Sequence, residues 1–293
     1  MIPKELLKAL RKIQITTNRL ANEQLAGNYT SGFKGQGLAF SEVRQYQPGD
    51  DIRTIDWNVS ARMDETYVKV FVEEREMTVM LLVDVSRSSL FGSQLQNKSR
   101  VAAEVAALCA FSAIKNNDRV GLILFSDHVE KVVPPQKGQK HVMRVIREIL
   151  GGKPTGEGTD LATGLHTLAK TSRRRSVAFL ISDFFAPDYE RALSAAAIRH
   201  DIVPVLLTDP RDDELPNIGL AEFEDFESGK ALLVDTASKE VRMHYHRFMT
   251  EQRQAQIQLF KKFGLDHAVV RTDKPYIRPL RDLFARRAKR ANR

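Results

Sequence analysis

Apolar residues along this chain change their spacing several times, and the changes mark its elements. Residues 4–25 repeat at helical spacing, with Leu6, Leu7, Leu10, Ile13 and Leu20 near one face and Pro3 suited to the first turn. Gly27 to Gly37 reads as a loop, and Phe40 to Trp57 sets strand-like residues around a Pro48-Gly49-Asp50-Asp51 turn. Tyr67–Glu73 alternates as a strand does. From Thr78 onward the pattern settles into a rhythm. Thr78–Asp84, Arg119–Phe125, Ser176–Ser182 and Ile202–Leu207 are short apolar runs, the mark of strands buried on both faces. Helical spacing separates them over Ser99–Lys115, Gly138–Leu150, Asp160–Thr171 and Pro187–His200, and Val129–Val133 reads as a short partner strand. Residues 219–235 read as a hairpin, Val241–Phe263 as a long helix, Ala268–Arg271 as a last strand and Ile277–Arg287 as a terminal helix. Strands separated by helices imply a parallel sheet with right-handed crossovers. The expected fold class is therefore α/β, a doubly wound, mostly parallel sheet flanked by helices, with an N-terminal helix and a small β element.

Composition adds limits. The chain has 293 residues, 42% apolar and 28% charged, which suits a globular protein with a real core and not a disordered one. The single cysteine, Cys109, lies inside an apolar helical pattern. It cannot close an intramolecular disulfide or build a Cys metal site, and a buried thiol is expected. No apolar run reaches the length of a membrane span. The charged N-terminus MIPKELLKALRKIQ lacks the apolar core of a signal peptide, so a cytoplasmic location is expected. Of the net charge of +8, +6 belongs to residues 278–293, where seven basic residues face one acid, Asp282. Such a tail is either a solvated helical end or a contact for nucleic acid or an anionic surface. A tail-driven binder would show steep salt dependence that disappears when 278–293 is deleted.

The chemistry concentrates at strand ends. Asp84 closes an apolar strand, and Ser86 and Ser88 follow at alternate positions. Thr159 sits in the Gly-rich loop GGKPTGEGT before a helix, and Asp183 closes another strand. Ligands of open α/β sheets bind outside the carboxyl ends of the strands. Should these strands be neighbours, two carboxylates and three hydroxyls converge. Oxygen-only donors suit Mg²⁺, with Mn²⁺ or Ca²⁺ as alternatives. Two carboxylates leave such an ion short of charge and ligands, open to water or to a carboxylate from outside. Other chemistries fit less well. The glycines of residues 27–37 follow no strand and lack the phosphate-loop pattern. A phosphatase reading of Asp84 meets Ser86 where a second carboxylate is needed. The seven histidines form no recognisable set; His244 and His246 face different ways on a helix, and His166 reads as surface or packed. A metal-dependent hydrolase is the lesser alternative, since no acid, base and nucleophile can be assembled.

The ordered set Asp84-x-Ser86-x-Ser88, Thr159 and Asp183 resembles the metal-ion-dependent adhesion site of von Willebrand factor A domains, over roughly residues 77–272. Gly35-x-Gly37-x-x-Phe40, with Arg44-x-Tyr46-x-x-Gly49-Asp50-Asp51-x-Arg53-x-Ile55-Asp56-Trp57, resembles the bacterial family catalogued as domain of unknown function 58. That resemblance implies a non-enzymatic interaction module beside a MoxR-type AAA+ ATPase, in chaperone-like assembly or maturation of other proteins. The metal would be finished by a partner's Asp or Glu, with Arg87, Phe184 and Phe185 as partner-binding residues. Family domains often carry Gly after the second Asp, where this chain has Phe184-Phe185. The expected division is 1–76 for the N-terminal helix and family-specific β segment, 77–273 for the von Willebrand A-like domain and 274–293 for the basic helix. Within the first, Arg44, Arg53, Asp50, Asp51 and Asp56 are close enough to pair across the turn. Trp57 would either pack as an anchor there or belong to an Arg-aromatic docking surface.

Overall fold

The computed structural model describes residues 13, 14, 16, 17, 20, 21, 38–63, 65–73, 76–90, 97–152, 154–156, 158–224 and 231–291, with the backbone alone at 38–41, 71–73, 90, 224 and 291. Of the helix expected over 4–25, the described residues 13, 14, 16, 17 and 20 are helical. The loop carrying Gly35 and Gly37, and the turn of the 219–235 hairpin, lie outside the described residues.

The chain divides into two compact units, Lys34–Glu76 and Met1–Phe33 with Met77–Arg293. The N-terminal segment and the basic terminal helix fall in the larger unit. The reason is burial: Ile13 and Ala21 share one apolar cluster with Leu280, Leu283 and Phe284.

In the smaller unit β1 (Leu38–Gln45) pairs antiparallel with β2 (Tyr67–Glu73), with an irregularity between Phe40 and Glu42. After Tyr46 the chain turns through Pro48 and Gly49, whose φ of +108° suits glycine at the third position of a type II turn, and Asp50 N donates to Gln47 O. Arg44 grips Asp50 through two hydrogen bonds of 2.7 Å. The rest of the expected pairing is different. Asp51 caps a 3₁₀ turn over Ile52–Thr54. Asp56 accepts from Asn58 N and Val59 N at the start of α1 (Trp57–Met63), and pairs with Lys69. Arg53 is exposed, and among the described residues it takes no part in these pairs. Strand-like residues after the turn thus become helical because two aspartates cap them. Trp57 is 72% exposed and is not the packed anchor of the first reading.

The larger unit contains β3 (Thr78–Asp84), α2 (Lys98–Lys115), β4 (Arg119–Phe125), β5 (Val129–Gln136), α3 (Gln139–Gly151), α4 (Leu161–Thr171) and β6 (Val177–Ser182). Then follow α5 (Glu190–Arg199), β7 (Asp201–Thr208), α6 (Pro210–Asp213), β8 (Leu220–Glu224), β9 (Ala231–Asp235), α7 (Lys239–Lys262), β10 (Ala268–Arg271) and α8 (Ile277–Ala291). Six strands form one sheet in the order β10-β7-β6-β3-β4-β5, parallel except for β5; β8 and β9 form a separate hairpin. From its centre the chain winds outward twice, first through β4 and β5, then through β6, β7 and β10. This is the doubly wound order, with the reversal between β3 and β6. The expected fold class, an α/β doubly wound and mostly parallel sheet flanked by helices, is the one observed. β5 runs three residues past its expected end, through Pro134 and Pro135, because an edge strand can spare their ladder donors.

Alternate residues of β3 feed two cores. Val79, Leu81 and Val83 pack with α2, α3 and α8; Met80 and Leu82 pack with α4, α5 and Phe260 of α7. The helix expected to be apolar along one stripe, α2, is buried on nearly every side, since Ala102, Ala103, Ala106, Ala107, Ala110 and Ala113 fill the gaps between its larger residues. Cys109 is fully buried, as expected, and burial pushes its thiol pKa well up.

Among the described residues no helix is long and apolar enough to cross a membrane. The basic terminal helix is tied to the fold. Arg287 pairs with Asp201 and Asp266, Arg290 reaches Asp266 at 2.8 Å, and Arg286 donates to His267 O. Deleting 278–293 would remove Leu280, Leu283 and Phe284 from the core, so loss of binding by that deletion would not isolate a charge effect. Phe284 meets Phe179 edge-on at 6.3 Å. Phe284→Ala is expected to lower stability by about 3–5 kcal/mol, read from urea denaturation. A loss under about 1 kcal/mol would mean that α8 is an appendage.

Candidate metal centre

The site forms at the carboxyl ends of β3, β4 and β6, where the winding reverses. Asp84 is the last residue of β3 and lies opposite Phe125 of β4. It is 3% exposed, and both carboxylate oxygens have donors: Oδ1 accepts from Ser86 N at 2.9 Å, and Oδ2 accepts from Ser182 Oγ at 2.6 Å. The chain then turns tightly. Ser89 bonds Ser86 O through both its amide and its hydroxyl, closing a 3₁₀ turn over Arg87–Leu90. This turn sets Ser86 Oγ and Ser88 Oγ 3.1 Å apart. Arg87 points outward and is exposed.

Thr159 comes from the loop between α3 and α4, and that loop is clamped to the β4 end. Glu130 accepts from Ser126 Oγ, Thr155 N, Thr155 Oγ1 and Gly156 N, all between 2.8 and 3.0 Å. His128 bonds Thr155 Oγ1 through Nε2 at 3.0 Å. A Cβ on Gly156 would lie 2.2 Å from Ser126 Oγ and Asp127 Oδ1, so only glycine fits there. Asp160 N donates to Ser126 O at 2.8 Å, and the Asp160 side chain caps α4. Thr159 itself is buried, and its Oγ1 has no hydrogen-bond partner among the described residues. A buried hydroxyl is rarely left unpaired, so this one asks for a ligand or water.

Asp183 follows β6 and is 3% exposed. Its Oδ1 accepts from Phe185 N at 3.2 Å, and its Oδ2 faces Lys98 Nζ at 3.1 Å. Phe184 then takes a φ of +59°, the left-handed region that glycine favours and a bulky residue avoids. Gly is what the resemblance leads one to expect there, and Phe184 takes a backbone conformation that glycine favours. It is held by Ser182 Oγ at its amide, Gln256 Nε2 at its carbonyl and an edge-to-face contact with Phe260, ring centroids 4.9 Å apart. Phe184 is consequently 2% exposed, a core residue and not the rim contact expected of it. Phe185 is half-buried, with Lys98 Nζ 5.7 Å from its ring centroid.

The family model described as "Protein of unknown function DUF58" matches residues 42–255. The chain belongs to this family. The uncharacterized protein Rv1480 of Mycobacterium tuberculosis is 35% identical over 228 residues, covering 77% of this chain and 72% of that one. YeaD of Bacillus subtilis, also called uncharacterized, is 26% identical over 175 residues, 60% of this chain and 41% of YeaD. Among solved structures, an aerotolerance-related membrane protein from Bacteroides fragilis aligns with TM-score 0.47 and 13% identity over 73% of this chain and 99% of that one. The proximal thread matrix protein 1 of the mussel byssus, described with a zinc-occupied MIDAS motif, aligns at 0.33 and 18% over 45% and 38% of the two chains. The sheet order above stands without either of them.

In this DUF58 protein the donor set fits a hard divalent cation in kind. Every donor is oxygen, and one, Thr159 Oγ1, is orphaned. Among the described residues no group of three or more His, Cys, Asp or Glu side chains is placed to hold a metal ion, so hydroxyls have to supply the remaining donors. Charge points the same way. Lys98, buried at the first position of α2, also meets Asp212 Oδ2 at 2.9 Å. Asp84, Asp183 and Asp212, all under 9% exposed, therefore stand against the Lys98 ammonium among the described residues of this network. Burial, then the neighbouring Asp183, push the Asp84 carboxyl up to about 6 despite the serine hydrogen bonds. Burial also raises Asp212 above the ordinary carboxylate range. Burial alone would lower Lys98, but Asp183 and Asp212 outweigh it and hold the ammonium above its usual pKa.

Ser182, Lys98, Asp212, Glu130 and Gln256 escaped the sequence reading. Only Lys98 left a signal: a cation just inside the N-terminus of a helix, behind its Asn97 cap, opposes the helix dipole and needs another reason to be there. Glu130 supplies a pH test of the loop. Burial would raise its pKa, but the bonds from Gly156 N, Ser126 Oγ and Thr155 win and bring it from 4.5 to about 2. A carboxylate depressed in the folded state stabilises that state above its unfolded pKa. The stability advantage of the wild type over Glu130→Gln should thus be full above pH 4.5 and fade as pH falls towards 2. Melting temperatures of both forms across that range check it, and a difference independent of pH would contradict the clamp.

Proposed function

We propose that this protein is a non-enzymatic, metal-dependent interaction module. The residues that would hold the ion are Asp84, Ser86, Ser88, Thr159 and Asp183, with Mg²⁺ as the cellular ion and Mn²⁺ or Ca²⁺ as substitutes. The single observation that carries the reading is the orphaned, buried Thr159 Oγ1, on a loop whose next residue is hydrogen-bonded to Ser126 at the end of β4, the strand that pairs with the Asp84 strand. Bound there, a divalent ion supplies positive charge and a coordination position for a carboxylate from another protein. The chain's own residues do the rest. Ser182 and the Ser86 amide aim Asp84, the Glu130 clamp aims Thr159, and the Phe184 turn aims Asp183.

The surroundings support docking over turnover. An apolar groove of about 560 Å³ begins at Phe185 and continues along Pro187, Tyr189, Phe248, Met249 and Leu259. Phe248 is 51% exposed, a large apolar surface beside the polar ends of the strands. Partner contacts at the rim then fall to Arg87, Phe185 and this groove. Hydroxyl–histidine contacts do occur among the described residues, Thr155 Oγ1 with His128 and Ser176 Oγ with His200, but neither involves one of the five proposed ligands. The partner we propose is a MoxR-type AAA+ ATPase offering an Asp or Glu, in chaperone-like assembly or maturation of other proteins, in the cytoplasm.

Pull-down of a co-encoded MoxR-type ATPase by the full chain tests this. Recovery is expected in Mg²⁺, and its loss in EDTA and with Asp84→Ala. Equal recovery in all three would reject the metal-dependent partner.

A further inference from the structure

Lys98 is the one feature of the site that an oxygen-only cation centre does not call for. Its ammonium is 3.1 Å from Asp183 Oδ2 and 2.9 Å from Asp212 Oδ2, and its side chain is 4% exposed. The two carboxylates come from chain positions 85 and 114 residues away, after β6 and in α6. Its own position, the first turn of α2, is the end of a helix where a cation is least welcome. Burying a lysine is costly unless it is paired, and a tertiary pair of this kind is weak evidence for stability as its purpose. What the pair does achieve is neutralisation. Three buried carboxylates with no cation would repel one another at short range and in low dielectric.

We propose that Lys98 is a tethered resident cation of this centre, which stands in for the divalent ion and competes with it. Its ammonium holds Asp183 while no ion is bound. It gives up Asp183 and keeps Asp212 when the ion takes its place, so that Asp212 is the retreat that lets Lys98 move aside without being left unpaired. Asp183 then has both states available to it with a positive charge in each. The consequence is a centre whose affinity for divalent ions is set low by its own side chain, and which stays intact when no ion is bound. This rests on the cation centre proposed above, and the experiment separates the two.

Mn²⁺ binding to the full chain is measured by calorimetry and by the loss of the free Mn²⁺ electron-paramagnetic-resonance signal, with melting temperatures taken in EDTA and in Mn²⁺. For Lys98→Met, a change of similar length without charge, the affinity for Mn²⁺ should rise by about tenfold or more, as removing a buried neighbouring cation requires. The same variant should melt lower than the wild type in EDTA and regain more of that loss in Mn²⁺ than the wild type gains. A lysine with a structural role alone would lose stability without gaining affinity. For Asp212→Asn, which keeps an oxygen for the Asp209 amide, Mn²⁺ affinity should fall. If Lys98→Met does not fold, the Asp212→Asn affinity decides, and an unchanged value overturns the proposal. Unchanged or weaker Mn²⁺ binding by a folded Lys98→Met protein also overturns it, while binding that Asp84→Ala abolishes leaves the cation centre standing. Mn²⁺ binding by Lys98→Met but not by the wild type supports the proposal in its strongest form. Binding by neither removes both the centre and the competition.

Discussion

Carboxylates buried together without enough positive charge are the constraint around which this structure turns. Asp84 and Asp183 lie at the ends of two adjacent strands buried along almost their whole length, and Asp212 reaches the same network from a short helix after β7. Water cannot screen them there, so their charge must be met by protein groups, protons or a bound cation. Every local device at this end of the sheet answers to that need. Serine groups and an amide solvate Asp84, Lys98 bridges Asp183 to Asp212, and the rise in the Asp84 pKa to about 6 marks what is left unmet.

The fold makes this gathering possible and also limits it. A sheet wound outward twice from β3 leaves a gap between the crossovers on its two faces, above the boundary of β3 and β6. Three loops enter that gap, and each is fixed by a different means. The Ser86–Leu90 turn is fixed by its own hydrogen bonds, the Thr159 loop by a carboxylate that reads its backbone, and the Phe184 turn by core packing. In the last case the backbone strain of a left-handed phenylalanine is offset by an aromatic cluster and by Gln256. The same cluster forms the inner wall of an apolar groove, so the group that orients Asp183 also shapes the surface beside it.

Much of this was legible in one dimension. The strands of the sheet are apolar runs because both of their faces are covered, and that property survives in sequence without reference to any neighbour. The five oxygen-bearing residues proposed to hold the ion could be picked out for a related reason: each lies just at or after a strand end or just before a helix, positions that the periodicity locates. What failed were inferences about which way a side chain turns. Phe184 looked like a rim residue beside Asp183, and its φ sends it inward. Trp57 offered a packed anchor as one reading and is exposed. The basic tail looked separable by its charge, yet Leu280, Leu283 and Phe284 fasten it to the core.

By itself, then, the sequence determined the α/β alternation, the family and the residues at the strand ends, because each depends on spacing along one segment. The tertiary structure decided the strand order that makes β3 and β6 neighbours, and the charge balance of the site. Lys98, Asp183 and Asp212 come from three segments far apart in the chain. Their meeting depends on two crossovers and a helix start, and electrostatics between buried groups depends on distance in space, which no period in the sequence encodes.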